Sequence, residues 1–325
     1  MKIAIIGASG HFANAFPIFD DPAHELVAVA PGSKGEDIGP LLKGCADRKL
    51  TPNYYADYLT LLETEDIDLA VINPWYCDHA AVSMACLTNG VHAYSEKPLA
   101  TELDALDQLE KCYRGSNRAL GSMLDLRCSP WFLAVDEALK SDAIGVVRML
   151  KGRKSYKLGT RGPLYHTRAA YGGMIPWVGI HALDWILHFG GKPRRVTALQ
   201  NADYNRDHGE LEMTATVMLE SDGGVLSTMT ADYLRPAGAA RHDDDRLLIT
   251  GTKGVLEVID EQVFLTDDAP RRALPLPPAR VPIVQFVQAI GTLAQAQYAE
   301  DALLVTRVSL LAQQAGDEGR WIEIK

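Results

Sequence analysis

KIAIIGASGHFANAF, residues 2–16, decides how the fold is read. KIAII is a short apolar run of the kind that forms a buried strand, and HFANAFPIF begins a helix. A glycine turn lies between them. Strand, glycine turn and helix in that order open a βαβ unit of the type that binds dinucleotides. Gly7 can make the tight turn. Gly10 lets the backbone come close to a ligand, and small Ala13 permits close packing of helix on strand. The amides at the helix start then face the pocket and suit a pyrophosphate. Ser9 stands at the usual middle glycine, so the spacing is G-x-x-G-x-x-A. An ordinary strand–helix turn is the plainer alternative. His11 and Phe12 carry the turn into the helix and complete the first group of candidate cofactor contacts.

Working outward, the first 122 residues continue the alternation. Strands are expected at ELVAVA (25–30), DLAVIN (68–73), HAYS (92–95) and ALGSML (119–124), with helices at 78–89 and 102–114. Buried strands separated by helices predict a parallel, doubly wound α/β sheet. From 123 to 325 the pattern changes. A helix near 130–141 leads into a long strand, VVRMLKGRKSY (146–156). A loop rich in glycine and tyrosine (158–173) runs into a helix carrying Trp177 and His181. Between 193 and 266, six strands follow one another with turn signals and no helix, which predicts an antiparallel sheet. Helices at about 282–296 and 299–315 and a short strand, WIEI, end the chain; these helices could pack on either domain.

The 325 residues suffice for two domains with their own cores. The net charge of -10 argues against a nucleic-acid surface. The five cysteines are scattered with no C-x-x-C pair, which disfavours a disulfide framework or a zinc site and makes a reducing cytoplasm the expected location. The opening apolar run is too short for a signal peptide core, and no later segment reads as a membrane span. HDDDR (242–246) looks like a metal site on paper; its consecutive carboxylates would point in alternate directions on a strand, so a charged turn and no metal are expected.

Two features concern the cofactor and the chemistry. An acid at the end of the second strand would bind the ribose 2′-hydroxyl of NAD, whereas a cation there accommodates the 2′-phosphate of NADP. Here Pro31 follows the strand, then Ser33 and Lys34, which leans toward NADP, with Glu36 and Asp37 close by. The second feature is Glu96-Lys97-Pro98, at the carboxyl end of a central strand, where ligands bind in open α/β sheets. A partly desolvated lysine beside a cationic nicotinamide favours its neutral form and can exchange a proton.

Three segments occur together and in order: NPWYCDH (73–79), SEKPLA (95–100) and GGMIPWVGIHALD (172–184). With LLITGTKGVLEV and the C-terminal DALLVTRVSLLAQQAGDEGRWIEI, they resemble the glucose–fructose oxidoreductase/inositol dehydrogenase (Gfo/Idh/MocA) family over essentially the whole chain. The resemblance implies a Rossmann domain, a second α+β domain on an open, mainly antiparallel sheet, and NAD(P)-dependent oxidation or reduction of a carbinol carbon in a sugar, polyol or sugar acid. It implies that Lys97 touches cofactor and substrate, with Glu96 and Pro98 setting its geometry. Asn73, Pro74 and Tyr76 match the stretch beside the nicotinamide ribose, and His79 closes it. The family's D-x-G-x-H helix reads Trp177, Gly179 and His181 here, so the histidine is kept and the acid is not.

Without a carboxylate at 177, Lys97 and His181 should be easier to keep neutral, and either can accept the hydroxyl proton as hydride leaves carbon. Trp177 could stack on a sugar ring or be a core residue of the helix. Asp184 could orient the imidazole or serve packing, and His188 reads as structural. Lys154, Lys157, Arg161 and Arg168 lie among Tyr156, Tyr165 and His166, a mixture suited to a small carbohydrate-like substrate bearing a carboxylate or phosphate, although a solvated face explains it equally. Arg127, at the domain junction, is a further candidate substrate contact. Two other functions remain open at this stage: a tightly held NAD that oxidises a sugar transiently for glycoside cleavage without net redox, and a ligand-sensing regulator. Relatives often pair through the outer face of the open sheet, so a homodimer or homotetramer is expected.

Overall fold

The computed structural model describes all 325 residues. The chain divides into two compact units: residues 1–123 with 169–172 and 281–306, and residues 124–168 with 173–280 and 307–325.

In the first unit, β1 (Lys2–Ile6), β2 (Glu25–Ala30), β3 (Asn53–Tyr54), β4 (Leu69–Ile72), β5 (His92–Ser95) and β6 (Leu120–Ser122) form one sheet in the order β3-β2-β1-β4-β5-β6, with every pair parallel. Strand β4 is buried at every position, and β1 at all but Lys2, because helices cover both faces. The strand order reverses between β1 and β4, the switch point where a dinucleotide is received. Gly7 follows β1 and Asn73 follows β4, so the glycine turn and the NPWY segment meet there.

Two parts of this unit differ from the sequence reading. The segment Phe12–Asp20 is a 3₁₀ helix rather than an α-helix; Pro17 inside it has no N–H for the i−4 bond. Between 31 and 67, where the sequence offers no long periodic pattern, the chain forms α1 (Gly39–Asp47), β3 and α2 (Tyr58–Thr64), the last capped by Asp57 accepting from the Thr60 amide. Helices α3 (His79–Thr88) and α4 (Leu103–Gly115) are where expected.

In the second unit, α5 (Pro130–Lys140) precedes β7 (Val147–Tyr156). After the single turn α6 (Arg168–Tyr171), whose last three residues belong to the first unit, comes a π-helical turn, Ile175–Gly179, continuous with α7 (Ile180–Gly190). Strands β8 (Pro193–Asn201), β9 (Thr214–Ser221), β10 (Val225–Asp232), β11 (Asp243–Gly251), β12 (Val255–Ile259), β13 (Gln262–Thr266), β14 (Arg272–Ala273) and β15 (Ile322–Glu323) join β7 in a nine-stranded sheet, β14-β13-β12-β11-β7-β10-β9-β8-β15. The sheet is mixed: β7 and β10 run parallel, and the other pairs are antiparallel. The crossover through α7 and the β8–β9 hairpin returns β10 beside β7 in the same direction.

Helix α7 covers the inner face of this sheet. Gly152 of β7 makes room for it, since a side chain there would meet Ala182 at 3.2 Å. The other face carries exposed apolar side chains, including Leu199, Met218, Leu226 and Met149. HDDDR is a correction: Asp243–Asp245 begin β11 and do not form a turn. Their side chains alternate, and each finds a basic partner; Asp244 lies against Arg153, Arg235 and Arg246, and Asp245 against Lys154.

The remaining helices are α8 (Pro282–Ala289), shorter than expected, and α9 (Ala294–Glu318), longer. Helix α8 belongs to the first unit, where Phe286 stacks on Tyr94 at 4.7 Å. The first half of α9 belongs to the first unit and the second half to the other. No helix is long and apolar enough to cross a membrane.

Candidate active site

The carboxyl ends of β1, β4 and β5 gather the expected cofactor residues of the first unit. Gly7 has φ +89°, and a side chain there would sit within 2.4 Å of the Asn73 carbonyl, so glycine is required both by conformation and by space. A side chain at Gly10 would meet the Glu96 carboxylate arm at 2.8 Å. The Ser9 amide donates to the Asn73 carbonyl at 2.8 Å, which fastens the turn to the end of β4.

Glu96 is fully buried. It accepts from the His11 amide at 3.0 Å, faces His11 Nδ1 at 2.7 Å, and lies 3.7 Å from the Lys97 ammonium. Burial opposes its ionisation, but the charges of His11 and Lys97 and the hydrogen bonds from His11 outweigh burial and hold the carboxyl at about 2. Lys97 is 3% exposed and precedes a cis bond to Pro98. The sequence reading left Lys97 without a carboxylate once position 177 was tryptophan. The structure supplies one from the neighbouring residue.

A folded-state carboxyl held below its ordinary value stabilises the fold above that ordinary value, and the contribution is lost as pH falls toward the folded value. For Glu96 the window runs from 4.5 down to about 2. The expected contribution at neutral pH is about 3 kcal/mol. Urea unfolding across that range should show a steeper loss of stability in the native chain than in Glu96→Gln; parallel curves would remove the assignment.

Two further side chains of the NPWYCDH segment are buried with open hydrogen-bonding atoms. Asn73 is fully buried, and neither amide atom has a partner. His79 donates from Nδ1 to the Pro98 carbonyl at 2.7 Å, which leaves Nε2 as an acceptor with no partner. Burial pushes the His79 pKa down, so the ring is neutral. Buried polar atoms left open at a strand-order switch point fit a ligand that brings its own donors and acceptors, as the ribose and carboxamide of a nicotinamide nucleotide do. Tyr76 packs edge-on against His79, and Phe12 edge-on against Phe16.

Glu36 is the residue the sequence reading undervalued. Its carboxylate folds back onto four donors: the Ala8 amide at 2.8 Å, the Ser9 hydroxyl at 2.5 Å, the Gly32 amide at 2.9 Å and the Ser33 amide at 3.2 Å. An acid six residues beyond β2 therefore occupies the place usually filled by the acid that ends the strand. The Ser33 hydroxyl accepts from the Trp75 amide at 2.9 Å, and Lys34 is exposed. A carboxylate at the end of β2 bears against the lean toward NADP, because it repels a 2′-phosphate.

In the second unit, the π-helical turn widens the backbone beneath Trp177. Trp177 is 7% exposed, and its ring lies 4.6 Å from Tyr165 and 5.9 Å from Tyr233. His181 follows four residues on and is half-buried. Asp184 is buried and takes the Arg127 guanidinium: Nε donates to both carboxylate oxygens at 3.0 Å, and Nη2 to one at 2.5 Å. Arg127 and Asp184, expected as separate substrate contacts, are thus partners of each other.

Arg168 is likewise fastened internally. Its guanidinium bonds Glu212 at 2.8 and 2.6 Å and both oxygens of Asp317, which leaves it a structural clasp rather than a substrate contact. His166 packs on His208, and Tyr156 on His242 and Tyr233. Tyr233 lies among the aromatic rings but carried no sequence signal, since it is a lone tyrosine at the end of a strand.

Residues 1–122 match the oxidoreductase family with an NAD-binding Rossmann fold, and residues 132–257 match the GFO/IDH/MocA C-terminal domain. A Thermotoga maritima structure assigned as an oxidoreductase superposes over 100% of both chains with a TM-score of 0.95 and 36% identity. This chain belongs to the Gfo/Idh/MocA family of oxidoreductases. Among curated relatives, trans-1,2-dihydrobenzene-1,2-diol dehydrogenase of Xenopus laevis is 25% identical over 77% of this chain and 72% of its own. Levoglucosan dehydrogenase in complex with NADH and levoglucosan shares the fold at 15% identity, with a TM-score of 0.85 over 100% of this chain and 99% of its own. The family assignment makes this an NAD(P)-binding oxidoreductase.

Proposed function

We propose that this protein is an NAD-dependent dehydrogenase or reductase that transfers a hydride between nicotinamide and a carbinol carbon of a sugar, polyol or sugar acid. The observation that carries the reading is the buried Glu96–Lys97 pair at the carboxyl end of β5, tied through His11 to the glycine turn. Relatives whose names specify diols and sugars support the substrate class.

A bound nicotinamide supplies the hydride acceptor or donor. Gly7, Ser9, Gly10, Asn73 and His79 would hold the nucleotide, and the chain must handle the hydroxyl proton. We assign that proton to Lys97 and His181. Lys97 can hydrogen-bond the reacting oxygen and, as the neutral amine, take up its proton; as the ammonium it stabilises negative charge on that oxygen. His181 offers an imidazole, the side chain best suited to accept and return a proton near neutral pH. The apolar outer face of the nine-stranded sheet suits pairing with a second copy, and we propose a homodimer or homotetramer.

Glu36 makes NAD the preferred dinucleotide in this reading. NADH should bind at least about tenfold more tightly than NADPH, and Glu36→Gln should narrow the gap. Titration of both nucleotides against native and variant protein checks this; tighter binding of NADPH to the native chain would sink it.

The function is tested by denaturing the purified protein, identifying any released nucleotide by mass, and titrating the emptied protein with the four nicotinamide nucleotides. Polyols, sugars and sugar acids are then followed by nicotinamide absorbance. Exchangeable binding and turnover of one of these classes is the expected result. Absence of nucleotide binding overturns the reading, and a nucleotide that never exchanges, with no net absorbance change, moves it to transient oxidation.

A further inference from the structure

We infer that Arg161 determines substrate specificity and receives a carboxylate, so that the substrate is a sugar acid or polyol acid. The inference rests on the dehydrogenase reading above and narrows it. The Arg161 guanidinium lies 5.2 Å from the Trp177 ring centre, 5.6 Å from Tyr165 and 5.0 Å from Tyr233. Three aromatic faces attract a cation but offer no hydrogen-bond acceptor of the ordinary kind. Its one hydrogen bond is a long one, from Nη2 to the Lys157 carbonyl at 3.4 Å, and the buried Nε has no partner.

A half-buried guanidinium normally meets a carboxylate. Arg127 has Asp184, Arg168 has Glu212 and Asp317, and Arg235 has Asp244. Arg161 forms no such pair. The exchange of the family's acid for Trp177 bears directly on this. An acid at 177 would stand beside Arg161, neutralise it, and repel an anionic substrate; tryptophan leaves the cation open and holds it by its face.

A second open donor belongs to the same box. The Tyr233 hydroxyl is fully buried without a partner. Burial pushes its pKa well up, so it keeps its proton and has a donor to offer a ligand acceptor. A cavity of about 800 Å³ adjoins Tyr233, and its other lining includes Lys157, Arg206 and Arg235 with no acidic residue. Open donors and an unpaired cation match a ligand that brings acceptors and negative charge.

Carboxylate fits better than phosphate because Arg161 is the one half-buried cation of the box with neither a counter-charge nor a short hydrogen bond; Arg206, which also has no ion pair, is exposed. Lys154 is matched by Asp245 at 2.5 Å, and the Lys157 ammonium donates to the Ala239 carbonyl at 2.5 Å. A single planar guanidinium meets a planar carboxylate through two parallel hydrogen bonds.

The test is calorimetric titration of the NADH-saturated protein with stereoisomeric aldonates and hexuronates, each paired with its neutral alditol or aldose, and with hexose 6-phosphates. At least one acid should bind about 10- to 100-fold more tightly than its neutral counterpart. Arg161→Met should abolish that preference, the acid losing about 10- to 100-fold more affinity than its neutral counterpart, and Arg161→Lys should retain part of it. Equal binding of acid and neutral compound, a preference that survives Arg161→Met, or no acid binding at all overturns the inference. Tighter binding of the phosphate esters overturns the carboxylate assignment. The titration needs no turnover, so its failure leaves the dehydrogenase reading standing, whereas a protein that cannot be saturated with any nicotinamide nucleotide fails that reading first.

Discussion

Lys97→Met is expected to lower kcat by about 10²- to 10⁴-fold while leaving nicotinamide nucleotide affinity within about tenfold of native. Methionine keeps most of the side-chain volume in a site where Lys97 is 3% exposed, so packing changes little. The change removes the amine proposed to meet the reacting oxygen. It also removes one of the two charges beside Glu96; His11 remains, with its amide and ring both on the carboxylate. The nucleotide site keeps its glycine turn, Asn73 and Glu36, which is why binding is expected to persist. Steady-state kinetics on whichever substrate the panel identifies, with nucleotide titration of the same preparation, separates the two effects. A kcat within tenfold of native would take Lys97 out of the chemistry.

Asp184→Ala is expected to destabilise the second unit by about 3–5 kcal/mol, the cost of breaking a buried ion pair from one side. Asp184 is 2% exposed, and its carboxylate accepts three hydrogen bonds from Arg127. Alanine would leave the guanidinium, itself only 21% exposed, facing a space lined in part by the buried positions of α7. Asp184→Asn keeps an acceptor without the charge and should cost less. Because Asp184 lies three residues beyond His181 on one helix, the alanine variant should also lower turnover, whereas the asparagine variant should retain more of it. Urea unfolding followed by tryptophan fluorescence measures the first effect; a loss below about 1 kcal/mol would show that Arg127 is satisfied without Asp184.

The pairing of Arg127 with Asp184 illustrates what a chain read in one dimension cannot show. Each residue stands out as a candidate because it is charged and sits beside a motif. Their 57-residue separation carries no sign that they meet. Arg168 is the same case, since its partners Glu212 and Asp317 come from distant strand and helix positions. Charges that read as open to a ligand are used by the fold, and the cation that is open, Arg161, is indistinguishable from them in sequence.

Local rules were enough where the physics is local. The parallel sheet of the first unit follows from short apolar strands alternating with helices, and the glycine turn from a backbone conformation that only glycine accepts at Gly7. The EKP and G-x-H-x-x-D segments, taken together, were enough for the family. The segment between 31 and 67 was not legible, because its elements are short and their stability comes from packing rather than from periodicity.

The amino-acid sequence by itself determined the two-part architecture, the dinucleotide-binding fold of the first part and the candidacy of Lys97 and His181, since these depend on strand and helix periods, turn conformations and motifs contiguous in the chain. Only the tertiary structure decided that β7 and β10 run parallel, that Glu36 reaches the glycine turn, that Glu96 gives Lys97 its counter-charge, and that Arg161 stands unpaired among Trp177, Tyr165 and Tyr233. Those four facts are matters of which groups share a space, and electrostatic and hydrogen-bonding energies depend on that proximity rather than on order along the chain.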